Sequence, residues 1–92
     1  MYTVKFTAAY KKSYKHIVKR GLDVSALDKV IDELRQGNAL DPKYKDHSLK
    51  GKFSYFRECH IQPDWLLIYL IEDDILTLTL VDTGSHSDLF KL

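Results

Sequence analysis

The sequence predicts an α+β fold of order β-α-α-β-β-β, an antiparallel sheet with two N-terminal helices packed on one face. Three observations carry this. Apolar residues recur at helical spacing between residues 10 and 34. Beyond residue 53 the pattern changes to strand-length apolar runs and strict alternation, punctuated by turn residues. The length of 92 residues, with 45% apolar and 29% charged content, suits one globular domain (1–92) with one core and one shallow site.

Tyr2, Val4 and Phe6 alternate with polar residues and predict a short first strand. Thr7 then caps a helix that ends before Gly21, with Tyr10, Tyr14, Ile17 and Val18 as its apolar stripe. Lys11, Lys15 and Lys19 fall at i, i+4 and i+8 on another face, where like charges repel mildly. A second helix has Ser25 as N-cap with Asp28 three residues on. Its buried face is Leu27, Val30, Ile31 and Leu34, and Gly37 stops it. Asn38 to Lys52 reads as loop, with Pro42 and Gly51 as breakers. Three strands follow, at about 53–61, 65–72 and 75–81, joined by turns at Pro63-Asp64 and Glu72-Asp73-Asp74. Trp65 to Ile71 is apolar on both faces and should be central. In the last strand Leu76, Leu78 and Leu80 should face the helices, leaving Thr77, Thr79 and Val81 more open.

No apolar run approaches the roughly 18 residues of a membrane span. The N-terminal residues show no signal-peptide pattern, and a lone Cys59 excludes an internal disulfide, so a cytoplasmic protein is expected. The net charge of +1 hides a polarity: segments 1–20, 21–42, 43–60 and 61–92 carry +6, −3, +3 and −5. An anionic partner would account for the basic first segment, and so would a solvated helix face.

The topology places chemistry. The strand ending at His60, the Pro63-Asp64 turn and the segment after Val81 all reach one end of the sheet. His60, Asp64 and His86 should therefore converge there; His47, in the preceding loop, is not placed by this argument. Imidazoles beside a carboxylate and cations suit phosphodiester cleavage without a metal. One group takes the proton of the 2′-hydroxyl, another protonates the leaving 5′-oxygen, and cations hold the phosphate charge. Each residue also has a plainer reading, as a surface imidazole or a turn former, and Trp65 is either core or a base-stacking surface. Cys59 and His60 point to opposite faces of their strand and cannot share a metal. Three His with Asp64 have the chemistry to bind zinc, but no H-x-x-x-H pair is present. His16 receives no role.

Three ordered motifs carry a resemblance. Tyr44-Lys45-Asp46-His47-Ser48-Leu49-Lys50-Gly51 resembles the DHxLxG segment of YafQ-type toxins of the RelE superfamily. Tyr55 to Tyr69, with Arg57, His60, Pro63, Asp64 and Trp65, is similar to that family's central block. Thr83-Gly84-Ser85-His86 followed by Leu89-Phe90 is similar to its C-terminal signature. The resemblance implies a RelE-like βααβββ fold and a toxin of a toxin–antitoxin pair. It also implies a metal- and cofactor-free endoribonuclease that cuts messenger RNA in the ribosomal A site. His47, His60, Asp64 and His86 become the acid–base set, with His86 as general acid and Asp64 with His60 on the base side. Trp65 and Phe90 match site-lining positions. Lys11, Lys15 and Lys19 would grip ribosomal RNA. The implied partners are a RelB/DinJ-like antitoxin, messenger RNA and the ribosome, with operator DNA reached only through the antitoxin and no membrane contact. Many members carry Arg four residues before the C-terminal His, and here that residue is Asp82. Arg57, Lys50 or Lys52 would then supply the positive charge. Asp82 also keeps an alternative open, a RelE-fold binding or regulatory protein with weak or no nuclease activity.

Overall fold

The computed structural model describes residues 1–90. The chain runs β1 (Thr3–Phe6), α1 (Ala8–Lys19), α2 (Val24–Arg35), β2 (His47–Ser48), β3 (Arg57–Gln62), β4 (Trp65–Glu72), β5 (Thr77–Gly84) and α3 (His86–Phe90). Short 3-10 turns lie at Pro42–Tyr44, Gly51–Phe53 and Asp73–Ile75. The predicted α+β architecture is the one observed, with two main helices on one face of a five-stranded sheet ordered β1-β5-β4-β3-β2. Strands β2 to β5 pair antiparallel, whereas β1 pairs with β5 in parallel, Thr3 opposite Thr77 and Phe6 opposite Leu80. A parallel neighbour needs a long crossover, and the chain between β1 and β5 supplies it. β4 is central, as its two-sided apolar run predicts.

Local signals set the helix ends. The Thr7 hydroxyl accepts from the Tyr10 N–H at 2.9 Å and donates to the Val81 carbonyl at 2.6 Å, so the cap of α1 is also bonded to β5. Tyr10 and Ile17 are buried as expected, but Val18 is exposed. The cap of α2 is Asp23, not Ser25. Its carboxylate accepts from the Ser25 N–H at 3.0 Å. An anion at a helix N-terminus is favoured over a neutral hydroxyl, and the helix starts earlier for that reason. Gly37 takes the left-handed conformation just past the end of α2, with φ of 80°.

Leu27, Val30 and Leu34 of α2 meet Tyr10 and Ile17 of α1 over Cys59, Ile61, Trp65, Leu67, Tyr69, Leu78 and Leu80 of the sheet. Leu76, expected on that face, lies beyond the strand start and is exposed. The segment 53–56, expected as strand, is the end of a 3-10 turn followed by a hydrogen-bonded turn before β3. Strand β5 extends three residues past its expected end because of a bulge. Tyr69 opposes Leu80 while Ile68 opposes Asp82, which leaves Val81 as the extra residue. Beyond the bulge Thr83 faces inward, fully buried. Its hydroxyl donates to the Leu66 carbonyl at 2.7 Å and accepts from the Trp65 indole N–H at 2.9 Å. The longer β5 carries the chain to Gly84 and delivers α3 beside the β3–β4 turn. No helix among the described residues is long and apolar enough to cross a membrane.

Candidate active site

The three residues that topology sends to one end of the sheet meet there. Asp64 stands in the β3–β4 turn and His86 opens α3. The Asp64 carboxylate accepts from the His86 backbone N–H at 3.0 Å and lies 2.7 Å from His86 Nδ1. These two contacts, the backbone one foremost, hold the Asp64 carboxyl below the usual carboxylate range. With Nδ1 engaged by the carboxylate, Nε2 is the ring nitrogen left to meet a substrate. The His86 and His60 rings are 5.7 Å apart between centroids, tilted by 60°. Phe90, one helical turn along, is 6.4 Å from His86 and exposed, at the rim of the cluster.

His60 has a different carboxylate from the one expected. On β3, Cys59 and Ile61 face the helices, so Glu58 and His60 face the other side. Glu58 is only 5% exposed, and its Oε1 lies 3.9 Å from His60 Nε2 and 3.3 Å from His47 Nε2. His47 arrives because the loop before β3 folds back as β2, putting His47 directly opposite Glu58. Two imidazole–carboxylate groups therefore face each other: His86 with Asp64, and His60 and His47 with Glu58. Asp64, expected on the His60 side, is bonded to His86. Glu58 was missed by sequence reasoning, although Glu58-Cys59-His60 on a strand is a same-face pair with period two. The ligand atoms of His47, Glu58 and His60 lie within 4.8 Å of one another, a set able to hold a metal ion.

Other expected site residues lie elsewhere. Trp65 is 2% exposed in the core with its indole N–H bonded to Thr83, so stacking a base on it would require unpacking the core. Arg57 alternates onto the face of Cys59, away from His60. Its guanidinium donates to Asp46 at 2.8 and 3.2 Å, and the Tyr69 hydroxyl donates to the same carboxylate. Lys50 and Lys52 are exposed on the β2–β3 connection, the Lys52 ammonium 5.3 Å over the Phe53 ring. Lys11 and Lys15 flank a groove of Phe6, Tyr10, Tyr14 and Ile31, and Lys19 is exposed. Asp82 accepts from the Ser13 hydroxyl at 2.6 Å and from the Thr83 N–H at 2.8 Å, so its carboxylate is held by α1. The Cys59 thiol is buried and pushed up to about 12 by desolvation, which leaves it unreactive.

The structure superposes on the toxin subunit of the DinJ-YafQ toxin–antitoxin complex of Escherichia coli with a TM-score of 0.89 at 33% identity, covering 97% of both chains. A metal-bound toxin from Helicobacter pylori gives a TM-score of 0.92 at 48% identity, over 98% of this chain and 100% of that one. In sequence, the chain is 34% identical over 88 residues to the mRNA interferase toxin YafQ of E. coli K12, covering 95% of this chain and 94% of that protein. The family described as the bacterial toxin of type II toxin-antitoxin systems, YafQ, matches residues 2–91. The chain belongs to that YafQ family.

Proposed function

We propose that this toxin is an endoribonuclease that cleaves messenger RNA through its own 2′-hydroxyl, on the ribosome, and that a cognate antitoxin holds it inactive. The observation that carries the reading is the approach of His60 and His86 to 5.7 Å between ring centroids, each with a carboxylate of its own. His60, backed by Glu58 and His47, takes the 2′-hydroxyl proton as that oxygen attacks phosphorus. His86 enters the step as the imidazolium, with Nδ1 engaged by Asp64, and gives its Nε2 proton to the departing 5′-oxygen. The products are a 2′,3′-cyclic phosphate and a free 5′-hydroxyl, and the proton count balances without a protein nucleophile. Phe90 offers an exposed ring beside His86 on which a base can stack. The E. coli relative is named as an mRNA interferase and has been solved bound to DinJ, which supports both the substrate and an antitoxin of that kind.

The test is cleavage of a translated message by the purified chain, mapped at nucleotide resolution. His60→Ala and His86→Ala should each lower the rate by about 10² to 10⁴, the range of a positioned acid or base. Unimpaired cutting by the double variant refutes the mechanism. Growth arrest without cleavage selects instead a binding protein on the same fold, the reading that Asp82 favours.

A second reading concerns His47, Glu58 and His60. Two imidazoles and a buried carboxylate suit a zinc or copper ion, and the H. pylori toxin was crystallised with metal bound. A metal ion bound there would supply positive charge facing a phosphate while occupying nitrogens of His47 and His60. Metal titration followed by cleavage separates the outcomes: inhibition supports the metal-free mechanism, and activity lost to chelator and restored by metal supports a hydrolase.

A further inference from the structure

α3 is five residues long, too short to hold its shape by helix formation alone. Its position rests on tertiary ties. One is Asp64, already described. The other runs through Asp88 to α1. Arg20, at the C-cap of α1, donates from Nη1 and Nη2 to the two Asp88 oxygens at 3.0 and 3.2 Å. The same carboxylate accepts the Ser85 N–H at 3.0 Å, and the Asp88 N–H returns a bond to the Ser85 hydroxyl at 3.0 Å. This reciprocal pair is a capping box around the residue immediately before His86. Gly84 makes room for it, since a Cβ there would stand 3.0 Å from Asp88 Cβ and Oδ2.

We infer that Arg20 is a positioning residue for His86: the Arg20–Asp88 pair pins the turn that carries the imidazole, keeping it on Asp64 and facing His60. The inference rests on the reading of His86 as proton donor. A half-exposed ion pair adds little to global stability. Its leverage is geometric, because a displacement of about 1 Å at a reacting group can cost on the order of 10²-fold in rate. A direct Arg20 contact to RNA phosphate is the competing role. The two differ in what Asp88 does: a positioning partner is needed, whereas a carboxylate that merely occupies Arg20 would be inhibitory.

The experiment compares Arg20→Gln, Arg20→Lys, Asp88→Asn and the Arg20→Gln/Asp88→Asn double variant in the full chain. Single-turnover rate and KM are measured, with the NMR signature of the His86 imidazole at constant pH. Arg20→Gln and Asp88→Asn should each lower the maximal rate about 5- to 20-fold with KM nearly unchanged, a fraction of the loss from full misplacement. The double variant should fall no further than the poorer single one, and Arg20→Lys should recover part of the rate. The His86 Nδ1–H resonance should lose its protection from solvent in Arg20→Gln and Asp88→Asn. A rate that rises or holds in Asp88→Asn, or additive losses in the double variant, overturns the inference. If His86→Ala leaves cleavage intact, the nuclease reading fails on its own. The imidazole signature still decides the positioning: unchanged in Arg20→Gln, it refutes the role; altered, it supports it.

Discussion

Glu58→Gln separates chemistry from stability at this site. The Glu58 side chain is 7% exposed, and one oxygen serves two imidazoles, at 3.3 Å from His47 and 3.9 Å from His60. Gln preserves the shape and removes the charge. At 3.9 Å, too long for a hydrogen bond, the Coulomb attraction of the carboxylate for a charged His60 ring is roughly 1.5–3 kcal/mol at an effective dielectric constant of about 30–60. If that interaction acts in the transition state, where His60 gains positive charge as it accepts a proton, its loss lowers the rate roughly 10- to 150-fold at about 1.4 kcal/mol per decade. Folding should respond differently. A buried carboxylate is costly to desolvate and a neutral amide is not, and the partner imidazoles of His47 and His60 keep access to solvent, so removing the carboxylate leaves no charge fully buried without a partner. The melting temperature should therefore hold or rise while cleavage falls, with the single-turnover rate on a defined message as one measurement and thermal unfolding as the other. Wild-type rate in Glu58→Gln would refute the argument that this carboxylate serves His60. A collapse of both quantities would mean that it acts as a structural group.

Trp65→Ala should destabilise the fold by about 3–5 kcal/mol, as expected for deleting a buried indole, with chemical denaturation as the measure; RNA affinity that falls at full foldedness would contradict its placement in the core. The Asp88 carboxyl is held at about 2, first by the Arg20 guanidinium and then by the Ser85 N–H. A carboxylate with a depressed folded value stabilises the fold above its unfolded value and loses that contribution as pH falls through about 2. Denaturation midpoints in Asp88→Asn should thus lack a step of at most about 1 kcal/mol below roughly pH 4, small because the pair is half-exposed and screened. Replacing Lys11, Lys15 and Lys19 together by Ala should leave the single-turnover rate intact and flatten the salt dependence of ribosome binding by about 0.7–0.9 for each phosphate that is no longer neutralised; an unchanged slope would remove these lysines from RNA recognition.

The helices and the central strands were legible because their signals are local. Helical spacing marks Leu27, Val30 and Leu34, the left-handed Gly37 marks a stop, and a two-sided apolar run marks β4 as central. Meeting of His60, Asp64 and His86 was legible too, since strand direction and turn position alone place them at one sheet end. What stayed hidden depends on groups distant in sequence. The parallel pairing of β1 with β5 is a contact between chain ends that no local pattern encodes. A single bulged residue, Val81, reverses the expected alternation, turns Thr83 inward and lets β5 run on to Gly84. Fold-back of the loop before β3 brings His47 to Glu58, and side-chain geometry at the sheet edge, not proximity in sequence, gives Asp64 to His86 rather than to His60. Sequence periodicity thus decided most of the helix and strand core, and the order of strands and turns decided which end of the sheet collects His60, Asp64 and His86. The tertiary structure decided which carboxylate serves which imidazole, because hydrogen bonding acts over about 3 Å and only the packed chain sets distances that finely.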